Sequence, residues 1–205
     1  TSTILFVVVA LDLLLASGFL AAVALDLVQL EDAARQIVVA IAPQAGNLTR
    51  EMTVKGRNVL GPLGIPFMGP WANRLDEQAF YANGRKYAFD MELGNVTGNI
   101  PIHGFMSRTD QWQVLEAKAD GKSAWVTSRL DAYKQPMWMK QWPFAHTIEM
   151  TYRLQDGVLE THTKVANMSS EAMPVSLGYH PYYQLTDSPR EEWTITVPAR
   201  TRWVL

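Results

Sequence analysis

Between residues 147 and 165 polar and apolar residues alternate so regularly that a β-hairpin is the natural way to bury one set and wet the other. From Thr147 to Leu154, the residues Ile148, Met150, Tyr152 and Leu154 recur at every second position, with Thr147, Glu149, Thr151 and Arg153 between them. A strand sends successive side chains to opposite faces, so this run has one core face and one wet face. Leu159, Thr161, Thr163 and Val165 repeat the pattern against Glu160, His162 and Lys164, and Gln155-Asp156-Gly157 has the chemistry of a tight turn between the two runs. Further strands are expected at Gln36 to Ala42, Glu51 to Val54, Lys86 to Met91, Ser123 to Leu130 and Trp193 to Val197. Lys55-Gly56, Asn83-Gly84 and Asp120-Gly121 supply turns among them. No amphipathic helix is expected after residue 25. With no repeat, low-complexity tract or Gly/Ser linker, residues 26 to 205 read as one all-β domain, a sandwich or barrel.

The first 25 residues are different. Ile4 to Leu25 is almost wholly apolar, broken by Asp12 and the Ser17-Gly18 pair, and Ala22-Val23-Ala24 has the small-x-small pattern of a signal-peptide cleavage site. Residues 1–25 are therefore expected to be a signal peptide or apolar leader, with export to the periplasm or beyond if it is cleaved and a cytoplasmic location otherwise. A membrane anchor is the rival reading, against which Asp12 near mid-span would cost about 2.5 to 3.5 kcal/mol. Once a leader is removed, no stable membrane insertion is expected.

Composition excludes several classes of function. At 205 residues a chain can bury roughly two-thirds of the surface its unfolded form exposes. A net charge of -2 gives no basic excess for a phosphate backbone, so nucleic acid is not an expected partner. The chain has no cysteine, hence no disulfide, thiolate nucleophile or Cys-ligated zinc, and chemistry must come from His, carboxylates and hydroxyls. There is no phosphate-cradling Gly loop and no Gly-x-Ser-x-Gly elbow. No His-x-His or His-x-x-x-His pair occurs either, so neither a metal nor another cofactor is expected.

Imidazole titrates near neutral pH, which makes the histidines the first candidates for acid/base work. His180 lies in Leu177-Gly178-Tyr179-His180-Pro181-Tyr182-Tyr183, bracketed by Gly and Pro amid rings able to stack on a sugar face. His103 lies in Pro101-Ile102-His103-Gly104-Phe105, again held between Pro and Gly. The competing reading for each is a packed, hydrogen-bonded histidine without chemistry. A His-Gly pair is weak alone, because 4 His and 13 Gly in 205 residues supply about 0.25 such pairs by chance. His146 opens a strand and His162 sits on its polar face, and both read as structural. In Gly69-Pro70-Trp71-Ala72-Asn73-Arg74-Leu75 an amide and a guanidinium stand side by side, offering several donors to vicinal hydroxyls; a solvated turn is the alternative.

In order along the chain, Ala45-Gly46-Asn47-Leu48, Pro70-Trp71-Ala72-Asn73-Arg74, Ile102-His103-Gly104 and Gly178-Tyr179-His180-Pro181-Tyr182-Tyr183 resemble the successive motifs of aldose 1-epimerases, over about residues 28 to 205. The resemblance implies a large antiparallel β-sandwich, the galactose mutarotase-like supersandwich, with a monosaccharide such as glucose or galactose on its concave face. It also implies a reaction that needs no metal or organic cofactor. By the same likeness His180 is the general acid that protonates the ring oxygen, and His103 a second catalytic and sugar-contacting His. Asn73 and Arg74 bind hydroxyls, and Tyr182 contacts substrate. Arg108 would suit a phosphorylated hexose. The family's catalytic base is a Glu well downstream of the His-Pro-Tyr motif, whereas this sequence runs only 25 residues past His180. Asp187, Glu191 and Glu192 lie in a Ser-Pro turn region and do not match it. The expectation is therefore a partial sandwich whose base lies beyond residue 205 and whose open sheet edges lack partners. A non-catalytic carbohydrate-binding domain is the alternative.

Overall fold

A computed structural model describes residues 6–9 and 27–201, apart from 93 and 197. The rest of the expected leader lies outside the described residues. The first sheet is antiparallel in chain order: β1 (Phe6–Val9), β2 (Leu27–Asp32), β3 (Ile37–Ala42), β4 (Leu48–Val54) and β5 (Arg57–Asn58). Short ladders follow, with β6 (Phe67–Met68), the hairpin of β7 (Ala79–Ala82) and β8 (Arg85–Ala88), and the pair β9 (Val96–Thr97) and β10 (Ile100–Pro101). The second large sheet runs β11 (Gln113–Ala119), β12 (Ser123–Leu130), β13 (His146–Gln155) and β14 (Val158–Asn167). β15 (Gly178–Tyr179) then returns to pair with β6. One six-residue helix, α1 (Pro136–Gln141), is present where no helix was expected, and among the described residues no helix is long and apolar enough to cross a membrane.

The alternation at 147–165 determines how the layers face each other. Ile148, Met150, Tyr152 and Leu154 are all buried, and opposite them on β14 stand Val165, Thr163, Thr161 and Leu159. Asp156 and Gly157 take φ of 52° and 80°, the left-handed pair that a two-residue hairpin of this hand requires. Val28, Leu30, Val39 and Ile41 of the first sheet and Ala124, Val126, Ile148 and Met150 of the second belong to one core cluster, so the two sheets form a sandwich. Tyr152 bridges the layers: its hydroxyl donates to the Asn47 carbonyl at 2.5 Å, at the turn between β3 and β4. Burial pushes the Tyr152 phenol well above its usual pKa, so it stays a neutral donor. A second cluster of Trp71, Phe80, Trp142 and Phe144 lies apart from the first.

Some expected boundaries shift. β4 begins at Leu48, three residues before the expected start at Glu51, and β8 ends at Ala88 where the expected run continues to Met91. Trp193 to Val197 is not a strand over the residues described. A 3-10 turn spans Arg190–Glu192 and irregular backbone follows, with Ile195 at 83% exposure. Its alternation has no neighbouring strand to pair with among the described residues, and pairing is what turns an alternating run into a strand.

The packing gives a direct stability contrast. We expect Leu154→Ala, which empties a fully buried position, to lower the unfolding free energy by about 2 to 5 kcal/mol. Lys164→Ala on the wet face, whose only ion pair among the described residues is a 3.6 Å contact with Glu149, should shift it by less than about 0.5 kcal/mol. Urea unfolding of the three proteins measures both.

Candidate active site

The site is built around the stretch Pro66–Asn73, which has one chain segment hydrogen-bonded to each side. On one side Gly178 and Tyr179 pair with Met68 and Phe67, and the amide of His180 donates to the Pro66 carbonyl at 3.0 Å. The ladder continues as Tyr182 donates to Gly64 (2.9 Å), Gly61 to Tyr182 (2.7 Å) and Gln184 to Val59 (2.9 Å). Residues 180 and 182 are thus held in extended register, where alternate side chains share a face. Their rings stack at 4.6 Å with an interplanar angle of 16°.

On the other side, the Gly69 carbonyl accepts from the amides of both Phe105 (3.0 Å) and Met106 (3.1 Å). This requires glycine at 104: its φ is +61°, and a Cβ there would stand 2.0 Å from the Gly69 oxygen. His103, just before it, also has a left-handed φ of 60°, and its amide donates to the Asn73 carbonyl at 3.2 Å. The His103 Nδ1 lies 2.8 Å from the Ala72 carbonyl. A carbonyl can only accept, so Nδ1 carries the proton and Nε2 is left as an acceptor in the neutral ring. Asn95 braces the same loop, with Nδ2 donating to the Gly104 carbonyl at 3.0 Å and its own carbonyl accepting from Ile102 at 2.9 Å. Trp71 faces away from this network into the second cluster, packing on Phe89 at 4.6 Å and on Phe105 at 5.7 Å.

The two flanking segments bring His103 and His180 together, 77 positions apart in sequence, with ring centroids 5.6 Å apart and edge to face. Both line a cavity of about 690 Å³, within the roughly 300 to 1,000 Å³ typical of small-molecule sites. Tyr182 is on its wall as well, along with Arg50, Asn95, Ser107 and Arg108. Asn73 and Arg74 are exposed and do not line it. What this segment contributes is backbone: the Asn73 and Ala72 carbonyls hold His103, and Arg74 bridges Ile102. Among the described residues no three His, Asp or Glu side chains converge as a metal site would need. His162 is exposed, far along the wet face of β14.

Arg50 and Asn95 were not singled out in the sequence. For Arg50 a signal existed: once β4 is started at Leu48, Leu48 and Arg50 share one face, and both line the cavity. For Asn95, in a stretch without periodicity, none did.

The fold is a β-sandwich whose cavity of about 690 Å³ is walled by two imidazoles and a tyrosine stacked on one of them. The sequence matches the aldose 1-epimerase family over residues 26–201, and the chain belongs to that family. It is 27% identical to a galactose mutarotase-like protein from Clostridium acetobutylicum, whose crystal structure superposes with a TM-score of 0.67 over 77% of this chain and 51% of that one. A protein of known structure from Synechocystis sp. PCC 6803 gives 26% identity and a TM-score of 0.63 over 77% of this chain and 54% of its own. The uncharacterized protein YihR of Escherichia coli is 24% identical over 131 residues, which are 63% of this chain and 39% of YihR. The chain therefore spans about half the length of the solved structures it matches, and less of YihR.

His146 sets a pH dependence independent of the cavity. Burial lowers its pKa below the usual value near 6.5, while its Nδ1 donates to the Phe144 carbonyl at 2.7 Å. The unfolded chain then binds more protons than the folded one as pH falls below about 6.5, so stability present at pH 7 is lost on acidification. We expect His146→Gln to flatten the fall in thermal midpoint between pH 7 and pH 5; an unchanged slope would assign the acid sensitivity elsewhere.

Proposed function

We propose that this site takes part in interconverting the α and β anomers of an aldose, with a free hexose such as glucose or galactose as the reference substrate. His180 is the general acid that protonates the ring oxygen. As the bond from that oxygen to the anomeric carbon breaks, its electron pair stays on the oxygen and takes the proton. A base removes the proton from the anomeric hydroxyl, leaving an aldehyde, and reclosure on the opposite face gives the other anomer. His103, with Nδ1 tied to Ala72, offers Nε2 to the sugar beside that oxygen. Tyr182 holds the His180 ring parallel to its own and borders the sugar.

The observation that supports this reading most is the 5.6 Å approach of two imidazoles from distant segments on one cavity wall. No Asp or Glu lines the cavity among the described residues, so none of them is assigned as the base; we place that role on a carboxylate outside them. The same absence favours a second reading, a sugar-binding domain without catalysis.

Exchange NMR on equilibrated glucose and galactose separates the two, run on residues 1–205 and on the complete reading frame that contains them. The epimerase reading predicts accelerated anomer exchange with the complete frame, falling by about 10² to 10⁴ in His180→Ala. Saturable sugar binding with the spontaneous exchange rate unchanged in both would select the binding-domain reading.

A further inference from the structure

β14 (Val158–Asn167) is the outer strand of its sheet, paired on one side with β13 in unbroken register. Its other side carries no strand among the described residues. In a two-residue hairpin the flanking residues Gln155 and Val158 bond to each other, so the N–H and C=O groups of Leu159, Thr161, Thr163 and Val165 point outward. No backbone hydrogen bond reaches these groups among the described residues. Sheets usually blunt such an edge with a proline, a bulge or a short strand. β14 has none of these, whereas the register of β11, the opposite edge of the same sheet, breaks between Val114 and Glu116.

The sequence of this edge is self-complementary. Set antiparallel against a second copy of itself about His162, β14 places Leu159 opposite Val165, Glu160 opposite Lys164 and Thr161 opposite Thr163, each pair occurring twice by symmetry. The outward-pointing backbone groups then meet one another, and alternation keeps wet face with wet face. Leu159 and Val165, half-buried against the main core, cover each other across the seam. On the wet face, charge alternates through it. Within one copy Arg129 lies 3.6 Å from Glu149, and Glu149 lies 3.6 Å from Lys164. The row continues into Glu160 of the second copy and then its Arg153, since those two are cross-strand partners within each copy. Registers centred one residue to either side lose this match: about Thr161, Lys164 faces Val158, and about Thr163 it faces His162.

We propose that the 205-residue chain self-associates as a two-fold dimer through β14, joining two four-stranded sheets into one continuous sheet. Sedimentation equilibrium tests this, with a dissociation constant of about 10 µM expected for an interface at the small end of the specific range. Glu160→Lys or Lys164→Glu sets like charges opposite each other twice, and each should weaken the dimer about 10- to 100-fold, with circular dichroism confirming that the fold is kept. The double exchange Glu160→Lys/Lys164→Glu restores opposite charges and should restore the affinity. An equimolar mixture of the two single variants should form heterodimers, because every charged pair between them is again opposite in sign. The register has its own readout in a chain with no cysteine. His162→Cys places two thiols at the axis, in a non-hydrogen-bonded pair whose Cα atoms stand about 4.5 Å apart, within disulfide range. Air oxidation should link this variant into a dimer on non-reducing gels, whereas Val158→Cys, whose two copies stand about 26 Å apart, should stay unlinked. A chain still monomeric at about 100 µM, an association indifferent to both single charge reversals, or linking of Val158→Cys as fast as His162→Cys overturns the proposal.

Discussion

The Gly69 carbonyl accepts from two successive amides, Phe105 and Met106, across a gap that only a glycine at 104 leaves open. Everything at the site depends on this approach. It seats the 102–106 loop against Pro66–Asn73, and the carbonyls of Ala72 and Asn73 then fix the His103 ring and backbone. The opposite edge of the same stretch pairs with β15 and holds His180. A single short segment thus acts as a common partner for two distant histidines. Both flanks are tied through backbone hydrogen bonds, while the segment's own side chains anchor it: Phe67 in the main core cluster and Trp71 among the aromatic rings of the second.

The sandwich supports this arrangement at one remove. β13 offers Tyr152 from its core face to the Asn47 carbonyl, and Asn47 lies in the connection that carries the Gln44, Ala45 and Leu48 part of the cavity wall. Packing between the large sheets therefore reaches the site through the buried, neutral Tyr152 hydroxyl and through Phe67 and Met106, which belong to the same core cluster. The core does the energetic work, and the irregular segments it supports carry the chemistry, which is the usual division between scaffold and loop.

Legibility in the sequence followed the same division. The β12–β13–β14 meander could be read almost residue by residue, because alternation and Asp-Gly turn chemistry are local properties. His103, His180 and Tyr182 were legible through motif context and resemblance, and the structure sets them on one cavity. The Asn73-Arg74 pair suggests side-chain donors, whereas the carbonyls of Ala72 and Asn73 are what hold His103, a backbone role that no sequence pattern reveals. Arg50 carries no signal unless β4 begins at Leu48, and Asn95 carries none because loop bracing has no period. The expected strand at Trp193 to Val197 shows the limit of alternation as evidence: the pattern states what a partner would bury, and it does not supply the partner.

His103 and His180, remote in sequence, line one cavity, and on the proposed function both face one sugar. With 4 histidines in the chain, their imidazole resonances in a ¹H–¹³C NMR spectrum provide a complete internal comparison. On titration with a monosaccharide, His103 and His180 should shift together along one saturation curve while buried His146 and exposed His162 stay in place. Saturation that moves His146 or His162, or only one member of the pair, would contradict it.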